Sequence, residues 1–246
     1  MRDTLVSPSE LKRLMERAMS DSRDISAFFR ALLDAIVYAH VPISDDTGRL
    51  RFVQFARPDN GEVVLPFFID ESEAYATTGN SRRVVALQGR VLLQHTLGAT
   101  LMLDPNGVRC VLYPEEIREL LSTGRVAELH AETIEKDREM LLGPADSVPD
   151  WLEPILSRLF PDLPFVETAY LLVTARPEDP AKLTLLILLG VAAAYAERSW
   201  RAIATALQTQ SAELKLPIDM ISYDPSDGPP ELLKGIDVAP IYIRQP

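Results

Sequence analysis

Two runs in the second half of the chain, Phe165 to Ala175 and Leu183 to about Ala194, are apolar at nearly every position instead of at every second one. A strand of that kind has no face to offer water, so both runs predict central strands, covered on two sides or on one side plus a partner. The second run stays apolar to Ala196, broken by Thr184 and Gly190, yet its 14 residues fall short of the ~20 that a helix needs to cross a bilayer. A layered fold built around these strands is therefore expected, with no membrane partner.

The flanking segments supply the layers. Trp151, Leu152, Ile155, Leu156, Leu159 and Phe160 form a helical stripe, and Pro154 is tolerable there if the helix begins near Asp150, where a missing N–H falls in the first turn. A second helix is predicted from Glu197 to about Glu213, facing inward through Trp200, Ile203, Ala204 and Leu207. Pro217 to Tyr223 reads as a half-buried strand, Asp224 to Pro230 as a loop, and Ala239 to Arg244 as a last short strand with Ile241 and Ile243 on one face. The order helix, strand, strand, helix, strand, strand predicts an α+β layer domain and not a doubly wound parallel sheet.

The first half repeats the theme. Ser7-Pro8-Ser9-Glu10 is a capping-box start to a helix carrying Leu11, Leu14, Met15, Ala18 and Met19, and a second helix carries Ile25, Phe28, Phe29, Leu32, Leu33 and Ile36. Ile36–Pro42, Leu50–Ala56 and Glu62–Ile69 are separated by turn-forming Asp45-Asp46-Thr47-Gly48 and Pro58-Asp59-Asn60-Gly61, which predicts an antiparallel meander. Asp70 opens a short helix, Val84–Leu87 is a strand, and Gly89–Thr96 is a helix. Ala99–Leu103 turns through Asp104-Pro105-Asn106-Gly107 into Val108–Leu112, and a helix from Tyr113 stops at Gly124. A charged helix, Arg125–Leu142, is expected as a surface connector.

At 246 residues the length suits two domains, and Gly143 to Pro149, holding one Gly and two Pro, marks the expected boundary. The expected domains are thus residues 1–143, with an extra amino-terminal helix, and 150–246. A net charge of −11 argues against nucleic acid, whose phosphates need clustered Lys and Arg. Neither half is a basic arm, since residues 1–143 hold 17 basic and 22 acidic side chains and residues 144–246 hold 8 and 14. A single cysteine, Cys110, excludes an intrachain disulfide, and the first eight residues lack the apolar stretch of a secretory signal, so a cytoplasmic location is expected.

The ordered pattern resembles the enhanced serine sensitivity (SseB) family. The resemblance rests on Ala35-Ile36-Val37-Tyr38-Ala39-His40-Val41-Pro42, on Gly61 to Asp70, on Leu103-Asp104-Pro105-Asn106-Gly107, and on Leu112-Tyr113-Pro114-Glu115-Glu116-Ile117. In the second half it rests on Ala169-Tyr170-Leu171-Leu172 and on Ala239 to Arg244. It covers residues 25 to 246, with the helix of residues 8–20 outside the pattern, and departs from it at Asp104, where Asn is usual, and at Ile241, where Phe is usual. It implies two consecutive α+β domains, no assigned chemistry, and an association with serine sensitivity and type III secretion.

The chain carries no Gly-x-Ser-x-Gly, Gly-x-x-x-x-Gly-Lys-Ser/Thr, Gly-x-Gly-x-x-Gly or His-Glu-x-x-His motif. His40 could serve as a general base, but a half-buried, hydrogen-bonded histidine is favoured. His95 ends a short helix, facing its negative end. His130 with Glu128, Glu132 and Glu135 does not share one helical face. Cys110 reads as a small buried hydrophobe. Arg82-Arg83 could grip a phosphate or carboxylate, but strand neighbours point to opposite faces. Asp224-Pro225-Ser226-Asp227-Gly228 lacks calcium-loop spacing and reads as a turn. No catalytic, cofactor-binding or metal-ligating residue is assigned and no cofactor is expected. The expectation is a non-catalytic protein-interaction or accessory module whose partner is another protein or a second copy. The alternatives are a type III secretion-associated chaperone and a small-molecule enzyme using His40 or Cys110.

Overall fold

The computed structural model describes residues 6–43, 50–77, 82–127, 129, 140–145, 148–208, 216–228 and 230–245. Two compact units, Met1–Glu128 and Leu129–Pro246, each carry an α+β layer arrangement.

The first unit begins with α1 (Pro8–Ser20) and α2 (Ile25–Leu33). Ser7 caps α1 by accepting the Glu10 N–H, with Pro8 at the first helical turn. The strands follow as β1 (Ile36–Pro42), β2 (Phe55–Ala56), β3 (Val63–Phe68), β4 (Arg82–Gln88), β5 (Thr100–Leu103) and β6 (Cys110–Leu112). Helices α3 (Glu71–Ala76), α4 (Gly89–His95) and α5 (Pro114–Thr123) lie between or after them. The sheet runs β4-β1-β3-β5-β6, with β3 and β5 parallel and the other pairs antiparallel. Gly124, at φ 71°, ends α5 by adopting the left-handed conformation that a side chain disfavours.

Instead of the expected three-strand meander, β3 shares one edge between two partners. Val63 and Val64 pair with β2, whereas Phe67 and Phe68 pair with β1. Pro66 sits at the break, and a proline has no N–H to give a ladder. The Val53 N–H reaches the His40 carbonyl instead, at 2.9 Å, and β1 takes β4 along its whole length as its other neighbour. One face of this sheet presents Val37, Ala39, Leu65, Phe67, Leu101 and Leu103 to a core with Leu11, Phe28, Leu32, Leu92, Ile117 and Leu120 from the helices. The alternate positions Val64, Met102 and Val111 form a second cluster with Tyr113.

The second unit holds β7 (Leu141–Pro144), α6 (Leu152–Leu159), β8 (Val166–Arg176), β9 (Asp179–Val191), α7 (Ala196–Leu207), β10 (Ile218–Tyr223) and β11 (Tyr242–Ile243). Its sheet runs β10-β9-β8-β11, with β7 beside β8 as well. The two apolar runs are its central strands, as their two-sided apolarity demands. One face packs against α6 and α7 through Leu171, Leu185, Ile187 and Leu189. On the other, Leu172, Leu186 and Leu188 are covered by Leu232, Leu233, Ile236 and Val238. The β9–α7–β10 passage is a parallel crossover, which gives the unit a mixed sheet.

Three expectations need correction. Besides the meander, Leu141–Pro144, expected at the end of the connector helix and the start of the boundary, form β7 on β8. The physical reason is that β11 pairs with only Thr168 and Ala169, leaving the ladder groups of residues 172–175 to be met, and Gly143 and Pro144 are tolerated on an edge strand. Most of the remaining connector lies outside the described residues. In the tail, Ile243 is 57% exposed, and the inward anchor is the Tyr242 ring, 5.1 Å from that of Phe160.

Gly190 explains a polar bridge across three strands. Thr168 on β8 and Tyr223 on β10 both lie opposite Gly190 on β9, and their hydroxyls meet at 2.7 Å over it. A Cβ at Gly190 would strike Thr168 Oγ1 and lie 2.9 Å from the Tyr223 hydroxyl. Gly190→Ala is therefore expected to lower unfolding free energy by at least ~2 kcal/mol in urea titration, through forced displacement and a broken hydrogen bond. In the tail, Tyr242→Ala should cost ~1–2 kcal/mol and Ile243→Ala less than ~0.5. Equal costs at the two positions would contradict the observed facing of β11.

Candidate functional site

His40 stands in the middle of β1, 1% exposed. Its neighbours Ala39 and Val41 are part of the buried set, so strand alternation turns the imidazole onto the face opposite the helical core. There Nε2–H donates to the Ala74 carbonyl at 2.9 Å, and the ring packs on Phe68 with centroids 5.1 Å apart. Ala74 is in the last turn of α3, whose terminal carbonyls lack helical donors. Bonding to a carbonyl requires a proton on Nε2, and Nδ1 is buried with no hydrogen-bond partner among the described residues. Thr77 Oγ1 donates to the same carbonyl at 3.0 Å. His40 thus ties β1 to the end of α3.

The start of α3 is held by a second polar group. Asp70 caps it by accepting the Ser72 and Glu73 N–H groups. Close by is Asp104, 4% exposed, at the corner between β5 and β6. Its backbone adopts φ 43°, a conformation that Asn and Asp tolerate better than most residues. Its N–H donates to the Phe67 carbonyl, and its own carbonyl accepts from Gly107 and Arg109. Desolvation raises the carboxyl to a pKa of about 6, reinforced by Glu73 and Asp70; the Ile69 N–H and Lys12 oppose the shift. One oxygen, Oδ1, has no hydrogen-bond partner among the described residues. Asp104 is the group that sequence reasoning reads as a turn former only. The available signal is an acidic residue placed directly after a strand whose four positions are all buried.

The remaining candidates are not brought together with these. Cys110 is half-buried against the first core, its sulfur 3.9 Å from the Val111 carbonyl. His95 is exposed in the last turn of α4. Arg82 and Arg83 are exposed at the start of β4. Asp224 accepts the Ser226 N–H at the head of a single 3-10 turn that ends at Gly228, φ 85°. His130, Glu128, Glu132 and Glu135 lie outside the described residues. Among the described residues, no group of three His, Cys, Asp or Glu side chains is placed to hold a metal ion, and no helix is long and apolar enough to cross a membrane.

Asp104 sets a pH dependence with a definite sign. Its folded pKa lies above the ordinary 3.8, so the folded chain holds this proton more tightly than the unfolded chain. The stabilisation is full below about pH 4 and is lost as pH rises through about 6. Two pKa units correspond to about 3 kcal/mol. Asp104→Asn should therefore stabilise the protein at pH 7 by ~1–3 kcal/mol, with the gain shrinking toward pH 4 in chemical denaturation. An identical difference at both pH values would contradict burial of the charged form.

Residues 11–119 match the SseB protein N-terminal domain, a span that takes in most of α1 as well as the strands. The segment of residues 8–20, expected to lie outside the family pattern, is thus largely inside it. Protein SseB of Escherichia coli (strain K12) is 26% identical over 188 residues, covering 73% of this chain and 71% of its own length. Protein SseB of Shigella flexneri matches to the same extent, 26% over 188 residues. No solved structure matches the chain.

Proposed function

Because the chain belongs to the SseB family, we propose that it acts as a non-catalytic, cytoplasmic protein-interaction module, with its working parts on the surface. The observation that carries this reading is the placement of His40. The strongest general-base candidate is sealed at 1% exposure and spends its ring proton on the Ala74 carbonyl. A general base must reach a substrate proton within hydrogen-bond distance, directly or through one water. Cys110, the other candidate, packs against the core of the same unit. Two compact units, each with a core of its own, suit simultaneous engagement of a protein partner.

Engagement through two linked modules can exceed either module's affinity by ~100-fold. The test is capture on the immobilised full chain from a bacterial lysate, followed by binding of the purified partner to the full chain and to each unit. The expected result is a partner bound more weakly by either unit than by the whole, with an association rate that depends on salt. Failure to retain any protein, together with turnover of a metabolite that is abolished by His40→Ala or Cys110→Ala in folded variants, would replace this reading with an enzymatic one.

A further inference from the structure

The edge of the first sheet is β4, and its register with β1 runs without interruption from Arg82 opposite Pro42 to Gln88 opposite Ile36. The opposite edge, β6, spans only Cys110–Leu112. Among the described residues no strand lies on the outer side of β4, so its outward N–H and C=O groups form a ladder with one side unmade. Arg82 and Arg83 are exposed at its start, and their side chains make no ion pair or hydrogen bond among the described residues. Val84, Val85 and Leu87 beyond them are half-buried, and Ala86 is exposed.

The two arginines specify a geometry. Consecutive strand residues point to opposite faces of the sheet, so no single phosphate or carboxylate can be gripped by both. A partner that uses both must also present consecutive charges on opposite faces, which is what an extended strand does. We infer that the β4 edge takes an extended protein segment by antiparallel strand addition, with two consecutive acidic residues at that segment's carboxy-terminal end meeting Arg82 and Arg83. This rests on the interaction reading above and names the surface and the partner's chemistry. The chain's net charge of −11 does not forbid it, because charges beyond about 8 Å are largely screened at physiological salt and the directly opposed pairs dominate. The half-buried middle of β4 calls for β-branched residues ahead of the acidic pair.

The probe is fluorescein-Thr-Val-Thr-Val-Thr-Glu-Glu-amide, titrated with the full chain and read by fluorescence anisotropy. Saturable binding is expected, falling with added salt. It should weaken about tenfold or more with the exposed double variant Arg82→Glu/Arg83→Glu, whose unchanged denaturant midpoint shows that it folds. Probes methylated at alternate backbone nitrogens, prepared in both registers, should differ: the one that blocks the ladder-facing N–H groups fails to bind. Absence of binding, equal binding of a probe ending Lys-Lys, or indifference to the double variant would overturn the inference. A partner protein held equally by the wild-type chain and the double variant would overturn the edge assignment and leave the interaction reading standing.

Discussion

Burial of central strands on both faces is the constraint from which the rest of this structure follows. In β3 every residue after Val63 is buried, and in β9 every residue after Thr184. A strand of that kind cannot lie on a surface, so each sheet must be covered twice, by helices on one face and by something else on the other. In the first unit the second face carries His40 and Phe68 alongside the Val64 and Tyr113 cluster. In the second unit it is closed by the segment that carries Leu232, Leu233, Ile236 and Val238.

Two-sided cover also dictates what polar groups must do. A side chain placed on a covered face loses water and has to find a partner or carry a penalty. His40 finds the Ala74 carbonyl, and Thr168 finds Tyr223 across the gap left by Gly190. Asp104 has fewer partners, and desolvation shifts its carboxyl upward as a consequence. His40 and Asp104 are both fastened into the layers of the first unit, whereas Arg82 and Arg83 lie exposed at the start of the edge strand β4.

Much of this was legible in the sequence, for identifiable reasons. The runs around Leu171 and Ile187 announced central strands because their apolarity ignores the period of two, and Pro8, Gly124 and the turn at Asp104 punctuated their elements through backbone preferences that do not depend on tertiary context. The strand partnership of β1, β2 and β3 was not legible, because a break at Pro66 sends two halves of one strand to two neighbours, and only the assembled sheet shows which ones. Nor was β7, since Leu141–Pro144 has no strand signature of its own and is recruited by the unfilled edge of β8. The burial of Asp104 was hidden for a similar reason: a turn signal in sequence does not reveal that the chain around Ile69 and the start of α3 closes over the turn.

The central claim is that His40 is sealed inside the layers of the first unit. Diethyl pyrocarbonate labelling of the native full chain, mapped by mass spectrometry, tests it most directly, with His95 as the exposed internal reference. The account predicts that His95 is carbethoxylated while His40 stays unmodified until denaturant unfolds the first unit. Modification of His40 in the native protein at the rate of His95 would show that the imidazole is open to solvent and available for chemistry, and would contradict the account.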